Sequence, residues 1–288
     1  MTDPFQAPGA AIDASASPAL ANDRHPAAQH NGEDRAFVVA LARGLEVLAC
    51  FHSGEVLLGL AEIARRCKLS RQATLRLTHT LASLGYLQYD AEVMKYRLGT
   101  ATIALGNATL TQLDVRRMAR PLIRELAAFV RADVALAVRE RLSMICIQAV
   151  RSPAALTLGL DIGTRIPMAM TAMGRAYLAA APYSERMELL ERLREVDELQ
   201  WQRIAPAIDA SLSEYRETGC CVVIEEWQPG VSEIAAAFSP GDRLPMVAVG
   251  IGGSAQALAP EYLRREVRPR LLEVVRRMTY PRAGMPID

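Results

Sequence analysis

Apolar residues recur at helical spacing in three short segments between residues 37 and 84. The first segment carries Phe37, Leu41, Leu45, Leu48 and Phe51. The second carries Leu60, Ile63, Ala64 and Cys67, and the third carries Ala73, Leu77, Leu81 and Leu84. Ser70 stands where it can cap the third helix, and Gly85 where it can end it. The pattern therefore predicts three consecutive amphipathic helices.

The segment after Gly85 has the pattern of a hairpin. Residues 86–89 and 94–98 predict two strands, and Asp90–Glu92 predicts the turn between them. Three helices followed by such a hairpin are typical of a winged helix-turn-helix, in which one helix enters the major groove of DNA. We therefore expect a DNA-binding domain of this kind over residues 34–99.

Beyond residue 100 the pattern mixes helices and strands without strict alternation. A linker helix is predicted over residues 100–113, and a further helix that Asp114 can cap reaches about Val130. Strands are predicted at 134–138, 144–150, 156–160, 220–226, 234–238 and 246–251, and helices at 171–181, 184–193, 205–218 and 261–278. Such an order favours an α+β fold for a second domain over residues 114–280.

The composition of the chain predicts a disordered N-terminal tail and a reducing cellular compartment. Residues 1–33 are rich in Ala, Pro, Asp and Ser and predict a disordered tail. Five cysteines without a CxxC pair suggest a reducing compartment rather than a disulfide framework. No secretory signal is recognisable, and the apolar runs are too short to span a bilayer, so we expect a cytoplasmic protein with no membrane partner.

The net charge of +1 gives no global excess for nucleic acid, so DNA binding has to rest on a local patch. Residues 65–76 contain five basic side chains and no acid. Arginine can read guanine and glutamine can read adenine in the major groove, whereas the wing can contact phosphates. The expected DNA contacts are Ser70, Arg71, Gln72, Thr74, Arg76, His79, Lys95 and Arg97. A solvated basic helix face is the alternative.

Motifs in both halves of the chain resemble those of IclR-type regulators. In the first half these are Leu60–Ala64, Leu69–Leu77 and Thr80–Leu87. In the second half they are Gly163–Met168, Thr171–Ala176, Gly219, Glu225–Val231 and Ile234–Ala237. The resemblance covers about residues 35–280. It implies a GAF-like second domain with an antiparallel sheet and flanking helices, and a homodimer or dimer of dimers on a palindromic operator.

The resemblance also implies an effector pocket for a small organic acid, a class that includes aromatic acids. Its residues would be Thr171, Ala172, Met173, Val223, Ile224, Glu233, Gly250 and Gly252. Met168, Met170 and Met173 make the adjoining loop apolar and adaptable, and we add Met168 to the pocket; ordinary core packing is the alternative. A ligand carboxylate could be held by the helix N-terminus at Thr171, by the Thr171 hydroxyl, or by Arg165 or Arg151.

The positions of the histidines and lysines, and the absence of nucleotide-binding motifs, argue against an enzyme and against a bound metal or cofactor. All four histidines precede residue 80, and the only lysines are Lys68 and Lys95. No phosphate-binding loop and no dinucleotide fingerprint is present. Two alternatives stay open: an enzyme that uses Glu225 or Glu226, with the winged domain as a protein-interaction module, and a regulator that senses redox state through Cys146, Cys220 or Cys221.

Overall fold

The computed structural model describes residues 36–51, 56–111, 113, 115–152, 158–241 and 244–279. The described residues form two compact units, one within Arg24–Gln112 and one within Leu113–Asp288. The tail predicted over residues 1–33 and the cap predicted at Asp114 lie outside the described residues. None of the helices in the described part is long and apolar enough to span a membrane.

The first unit is a helix-turn-helix with a wing. Its elements in chain order are α1 (Val39–Ala49), β1 (Leu58–Gly59), α2 (Leu60–Arg66), α3 (Arg71–Ser83), β2 (Leu87–Asp90), β3 (Lys95–Leu98) and α4 (Ala101–Thr111). The strands form an antiparallel sheet of order β1-β3-β2. The predicted helices and hairpin are confirmed, whereas β1 was not predicted because a strand of two residues has no visible period.

The core of the first unit is small and involves every element except α4. It contains Val47, Cys50, Leu58, Ile63, Leu87 and Tyr96, with Leu77 and Leu81 of α3 packed against it. The predicted apolar face of the first helix is correct at Leu48 and Phe51, which pack against this core, but wrong at Leu41 and Leu45, which are exposed. Val47, which was not predicted, is buried instead. Leu84, predicted on the inner face of α3, is exposed as well.

The second unit packs helices on a single antiparallel sheet. Its elements are α5 (Val115–Val130), β4 (Asp133–Glu140), β5 (Ser143–Val150), β6 (Arg165–Pro167), α6 (Ala172–Ala180), α7 (Tyr183–Val196), α8 (Glu198–Thr218), β7 (Cys221–Ile224), β8 (Val231–Phe238), β9 (Val247–Ser254), α9 (Pro260–Tyr262), a π-helical turn (Leu263–Val267) and α10 (Arg268–Thr279). The strand order is β6-β5-β4-β9-β8-β7. The α+β prediction is therefore confirmed.

Helix α6 covers one face of the sheet at β8 and β9. Successive residues of a strand point to opposite faces. Val231, Ala235 and Ala237 of β8 belong to the same apolar cluster as residues of α6, so Glu233 shares the face that α6 covers. This arrangement places a buried carboxylate beneath the helix.

Two predicted strands need correction. Residues 158–160, the described part of the strand predicted over 156–160, have no strand conformation, whereas Arg165–Pro167 pairs with β5 as the unpredicted β6. Strand β7 ends at Ile224, earlier than predicted, because Glu225 takes a positive φ of 53° and turns the chain. Glu225 and Glu226 therefore lie in a turn and not in a strand.

Candidate functional site

Helix α3 begins at a capped turn that fixes its first residues. The Ser70 hydroxyl accepts a hydrogen bond from Ala73 N at 3.2 Å, as the sequence predicts. The turn from α2 closes through Leu69 N, which donates to Ala64 O at 2.9 Å, and Lys68 adopts a φ of 52°. These bonds hold the N-terminal half of α3 in one orientation relative to α2.

The outer face of α3 is polar and available for contacts. Arg71, Gln72, Arg76 and His79 are all exposed, as predicted. Within the described residues, neither Arg71 nor Arg76 has an ion-pair partner. Two unpaired guanidinium groups about one and a half helical turns apart can each present their donors to a base edge or a phosphate.

Thr74 does not belong to this face. Its side chain is fully buried, and its hydroxyl donates to Ser70 O at 3.0 Å. The prediction that Thr74 contacts DNA is therefore wrong. The physical reason is the period of the helix, because Thr74 lies on the same inward stripe as Leu77 and Thr78.

The first two arginines of the basic run at residues 65–76 pair with an acid that precedes the run. Glu62 pairs with Arg65 at 2.6 Å and with Arg66 at 2.7 Å, and the hydrogen bond from Arg65 does most to lower the pKa of Glu62 to about 2. Glu62 therefore compensates one of the two positive charges of Arg65 and Arg66. Arg71 and Arg76 have no ion-pair partner among the described residues, so both of their charges remain available.

The wing presents two basic side chains from β3. Both Lys95 and Arg97 are exposed; Lys95 stands opposite Asp90, and Arg97 Nε donates to Gln88 Oε1 at 3.2 Å. The turn is fixed by Asp90 Oδ1, which accepts from Glu92 N at 3.1 Å. A stiff hairpin of this kind can hold Lys95 and Arg97 toward a DNA backbone.

In the second unit, a small cavity lies between α6 and strands β8 and β9. Five of the predicted pocket residues line it: Ala172, Met173, Glu233, Gly250 and Gly252. The sequence did not point to the remaining lining residues, which are Asp133, Leu158, Leu160, Ile234 and Ile251. The sequence therefore predicted the position of the cavity, but only five of its ten lining residues.

The two glycines make room for side chains that fill much of this space. A Cβ atom at Gly250 would lie 2.4 Å from Met173 Cγ, and one at Gly252 would lie 2.4 Å from Leu158 Cδ1. Any other residue at either position would displace these side chains. Met173 and Leu158 therefore rest on bare backbone at the floor of the cavity.

Glu233 is the most unusual group in the cavity wall. Its side chain is almost completely buried, and Oε2 accepts a hydrogen bond from Ala172 N at 2.9 Å. Burial raises the pKa of Glu233 to about 7, although the bond from Ala172 and the charge of Arg175 act in the opposite direction. A carboxyl group in this setting is close to its midpoint of ionisation at neutral pH.

Two of the first three N–H groups of α6, those of Ala172 and Gly174, are bound by the protein's own side chains. Thr171 Oγ1 donates to Pro167 O at 2.7 Å and accepts from Gly174 N at 3.2 Å. Its only hydrogen is used, so the prediction that the Thr171 hydroxyl donates to a ligand is wrong. The Ala172 N–H, which could have bound a ligand carboxylate, is bound by Glu233.

Four of the nine predicted pocket residues lie outside the cavity lining: Thr171, Val223, Ile224 and Met168. Val223 pairs with Glu233 but is buried in the apolar cluster. Ile224 pairs with Ser232, so it lies on the opposite face of the sheet from Glu233. Met168 lines a second cavity of about 40 Å³, together with Met170, Gln200 and Trp201. For these positions the predicted contact with the first cavity is wrong.

Sequence reasoning missed the buried cation that organises this region. Arg175 is 1% exposed and forms a two-pronged ion pair with Glu226, at 3.0 and 2.6 Å. Its Nε donates to Ala169 O at 2.8 Å, and Nη1 reaches Ser211 Oγ at 3.3 Å. Arg175 thus fastens the loop before α6 to α8 and to the turn after β7.

The other candidate donors and nucleophiles are engaged or buried. Arg151 pairs with Asp161 at 2.7 Å and Arg165 with Glu140 at 2.6 Å. Glu225 Oε2 accepts from Gly230 N, whereas Glu226 holds Arg175, so the two acids do not share a site. Burial raises the pKa of the thiols of Cys146, Cys220 and Cys221 far above neutral, which keeps them protonated and poorly reactive.

Comparison with known proteins agrees with both halves of this description. Residues 40–91 match the IclR helix-turn-helix domain, and residues 107–280 match the C-terminal domain of bacterial IclR regulators. The chain is 32% identical to the HTH-type transcriptional regulator TsaQ1/TsaQ2 of Comamonas testosteroni, over 83% of this chain and 86% of that protein. It is 26% identical to the Pca regulon regulatory protein of Pseudomonas putida, over 87% and 86% respectively.

A solved structure shows the same fold along almost the whole length. The IclR family transcriptional regulator from Brucella abortus is 39% identical, with a TM-score of 0.78, and the match covers 86% of this chain and 93% of that one. The predicted resemblance is confirmed on both sequence and structure. The chain belongs to the IclR family of transcriptional regulators and not to an enzyme family.

Proposed function

We propose that this regulator binds a specific operator through α3 and that a small organic molecule bound in the second unit controls this binding. The observation that carries the proposal is the capped helix α3, whose exposed face holds Arg71 and Arg76, neither of which has an ion-pair partner in the described part of the chain. A helix placed in the major groove contacts base edges with its N-terminal residues. The DNA-binding domain of the proposal spans residues 34–99, the linker 100–113 and the sensing domain 114–280.

Within this proposal the exposed residues divide into two roles. Arg71, Gln72, Arg76 and His79 read bases, because they share the outer face of α3. Ser70, Lys95 and Arg97 contact the phosphate backbone, since they lie at the helix start and on the wing. Arg65 and Arg66 contribute less, because they share the Glu62 carboxylate, which compensates one of their two charges.

A homodimer on a palindromic operator fits the surface of the first unit. Leu41 and Leu45 of α1 and Ile103 and Leu105 of α4 are large apolar side chains that are more than half exposed. Exposed apolar helix faces of this kind are typical of surfaces that bind a partner. A second copy of the chain, related by a two-fold axis, would cover them and present a second α3 to a symmetric DNA site in the cytoplasm.

The effector enters the cavity between α6, β8 and β9 in this proposal. Met173 is unbranched and flexible, so it can leave the surface of Gly250 and make room for a ligand. Small organic acids, including aromatic ones, are the ligand class that the family resemblance implies. Binding shifts the DNA-bound population only as far as the ligand prefers one conformation over the other.

Selection of genomic DNA by the purified full-length protein tests the proposal. We expect the bound fragments to share a short sequence with two-fold symmetry, and we expect at least one fragment to be released or bound more tightly when metabolites are added. Recovery of random fragments, at an affinity that depends only on fragment length and salt, would show that binding is non-specific and would contradict the proposal.

A further inference from the structure

We propose that Cys50 and Cys67 form a disulfide bond when the protein is exposed to a peroxide, and that this bond changes how α3 is presented to DNA. The first part concerns the two thiols alone, whereas the second part rests on the proposed function of the first unit. The inference follows from the position of both sulfur atoms at one end of α1, from the accessibility of Cys67, and from the place of Cys67 before the turn into α3.

The two thiols lie against the same turn of α1. Cys50 directly follows this helix, and its Sγ donates to Val47 O at 3.1 Å. Cys67 directly follows α2, and its Sγ donates to Glu46 O at 3.7 Å. The two acceptors are consecutive carbonyl groups, and the two thiols are hydrogen-bonded to each other. Two cysteines from different helices are therefore in side-chain contact.

A further contact holds the end of α2 against the end of α1. Arg66 Nη1 donates to Cys50 O at 3.1 Å, while its Nε pairs with Glu62 at 2.7 Å. The residue next to Cys67 is thereby fixed to the backbone of Cys50. A disulfide needs its two sulfur atoms in a narrow geometry, and anchored helix ends that already bring the thiols together reduce the backbone movement required.

Cys67 is the reactive member of the pair. Its side chain is half-buried, whereas Cys50 is 7% exposed. The hydrogen bond from Cys50 does most to lower the pKa of Cys67, and the charge of Arg66 acts in the same direction, against burial and the charge of Glu46. A lower pKa raises the fraction of thiolate, which is the form that attacks an oxidant. Peroxide is therefore expected to react first at Cys67.

The cysteines of the second unit lack these features. Cys146, Cys220 and Cys221 are all buried, and burial raises their pKa values far above neutral. Thiols in such a setting remain protonated and react slowly. Redox chemistry is thus favoured at the pair in the first unit and not at the three positions that the sequence suggested.

The reaction balances with one hydrogen peroxide for each pair. The Cys67 thiolate attacks a peroxide oxygen, so a sulfur–oxygen bond forms, the oxygen–oxygen bond breaks, and the departing hydroxide takes up the proton that Cys67 released. The Cys50 sulfur then attacks the sulfur of the sulfenic acid, and the hydroxyl leaves with the Cys50 proton as a second water. The two thiols are oxidised to a disulfide and the peroxide is reduced to water.

The bond acts on the turn that sets the orientation of α3. Its formation takes Cys67 Sγ away from Glu46 O and ties it to the end of α1. Cys67 is followed by Lys68, which has a φ of 52°, and by Leu69, whose N–H donates to Ala64 O at 2.9 Å. A displacement of Cys67 changes this turn and with it the first residues of α3. We therefore expect the oxidised protein to bind its operator more weakly.

Peptide mapping of the full-length protein tests the first part. The reduced protein is treated with a small excess of hydrogen peroxide, alkylated, digested without reductant and analysed by mass spectrometry. We expect a linked pair of peptides that joins Cys50 to Cys67, with a mass lower by two hydrogen atoms than the two free peptides together, and we expect dithiothreitol to separate them. The control variant Cys220→Ser should form the same bond, whereas Cys67→Ser should not.

Fluorescence anisotropy with operator DNA tests the second part on the same samples. We expect the oxidised wild type to bind at least threefold more weakly than the reduced protein and to recover after dithiothreitol. Cys67→Ser should bind equally before and after peroxide. A far-UV circular dichroism spectrum verifies that this variant is folded; if it is not, the peptide map and the reversible change of the wild type still decide the proposal.

The proposal is overturned if peroxide leaves both cysteines of the first unit as thiols. It is equally overturned if Cys67 is converted to a sulfinic acid or linked to a second chain without forming the bond to Cys50. An oxidised protein that carries the bond and binds the operator unchanged overturns the second part alone. Failure of the reduced protein to select an operator would instead contradict the proposed function, and the peptide map would still decide the first part.

Discussion

The backbone N–H of Ala172 donates a hydrogen bond to Glu233 Oε2 across 2.9 Å. This contact joins the first turn of α6 to the third residue of β8, beneath the helix and next to the cavity. It uses a helix N-terminus, which favours an anion, to hold a carboxylate that belongs to the chain itself. The ionisation of Glu233 is thereby coupled to the packing of α6 on the sheet.

A pH dependence of stability follows from this contact. Burial raises the pKa of Glu233 from 4.5 to about 7, so the folded protein binds this proton more tightly than the unfolded chain does. The resulting contribution to the free energy of unfolding is complete below pH 4.5 and is lost as the pH rises through 7. This difference corresponds to at most about 3 kcal/mol. We expect urea unfolding to show a larger loss of stability between pH 5 and pH 8 in the wild type than in Glu233→Gln. Identical pH profiles for both proteins would contradict the assignment.

The neighbouring acids Glu225 and Glu226 are expected to differ in their effect on stability. Glu226→Ala leaves the buried guanidinium of Arg175 without its carboxylate. Loss of the partner of a buried charge lowers the free energy of unfolding by about 3 kcal/mol. We expect a smaller loss here, because the side chain of Glu226 is 38% exposed. Glu225→Ala removes one bond to Gly230 N and should cost about 1 kcal/mol. Chemical unfolding measures the free energy of unfolding of both variants. Equal losses would show that the pair of Arg175 with Glu226 stabilises the fold no more than a single hydrogen bond does.

Two glycines are expected to respond differently to alanine. A Cβ at Gly174 would lie 2.1 Å from the backbone oxygen of Met168, which cannot move aside, whereas a Cβ at Gly250 would meet the side chain of Met173. We expect Gly174→Ala to lose several kcal/mol and Gly250→Ala about 1–3 kcal/mol. Thermal unfolding should show that Met173→Ala rescues Gly250→Ala but not Gly174→Ala. Rescue of neither variant would contradict the packing of Met173 on Gly250.

The sequence predicted those parts of the structure that have a strong period or a local signal. Helix α3 was recognisable from the cap at Ser70 and from its apolar stripe, and the hairpin from its alternation. Thr74 and Leu84 were misplaced because threonine on an inward stripe and leucine at a helix end do not reveal their burial through residue type.

Tertiary contacts explain what the sequence could not supply for the cavity. The resemblance pointed to Glu233, Gly250 and Gly252, but not to Asp133 or Leu158, which reach the cavity from distant parts of the chain. The pairing of Arg175 with Glu226 spans 51 positions and has no sequence period. Only the register of β7 on β8 shows that Ile224 faces away from Glu233.

The wing should contribute affinity without sequence preference. Lys95 is exposed at the start of β3 and contacts a phosphate in the proposed complex. We expect Lys95→Ala to weaken binding to operator and to random DNA by similar factors, and to reduce the slope of log K against log salt concentration by about one unit. A salt series on both DNAs measures this, and a loss confined to the operator would instead assign Lys95 to base reading.

Fluorescence anisotropy of labelled operator DNA, with a scrambled duplex as competitor, tests the central claim most directly. The proteins to compare are the wild type, Arg76→Ala and the control Arg265→Ala, which removes an exposed positive charge from the second unit. We predict that Arg76→Ala weakens specific binding by about 1–3 kcal/mol and lowers the ratio of operator to scrambled affinity, while Arg265→Ala does neither. If Arg76→Ala binds the operator as tightly and as selectively as the wild type, the exposed face of α3 does not read DNA and the account is wrong.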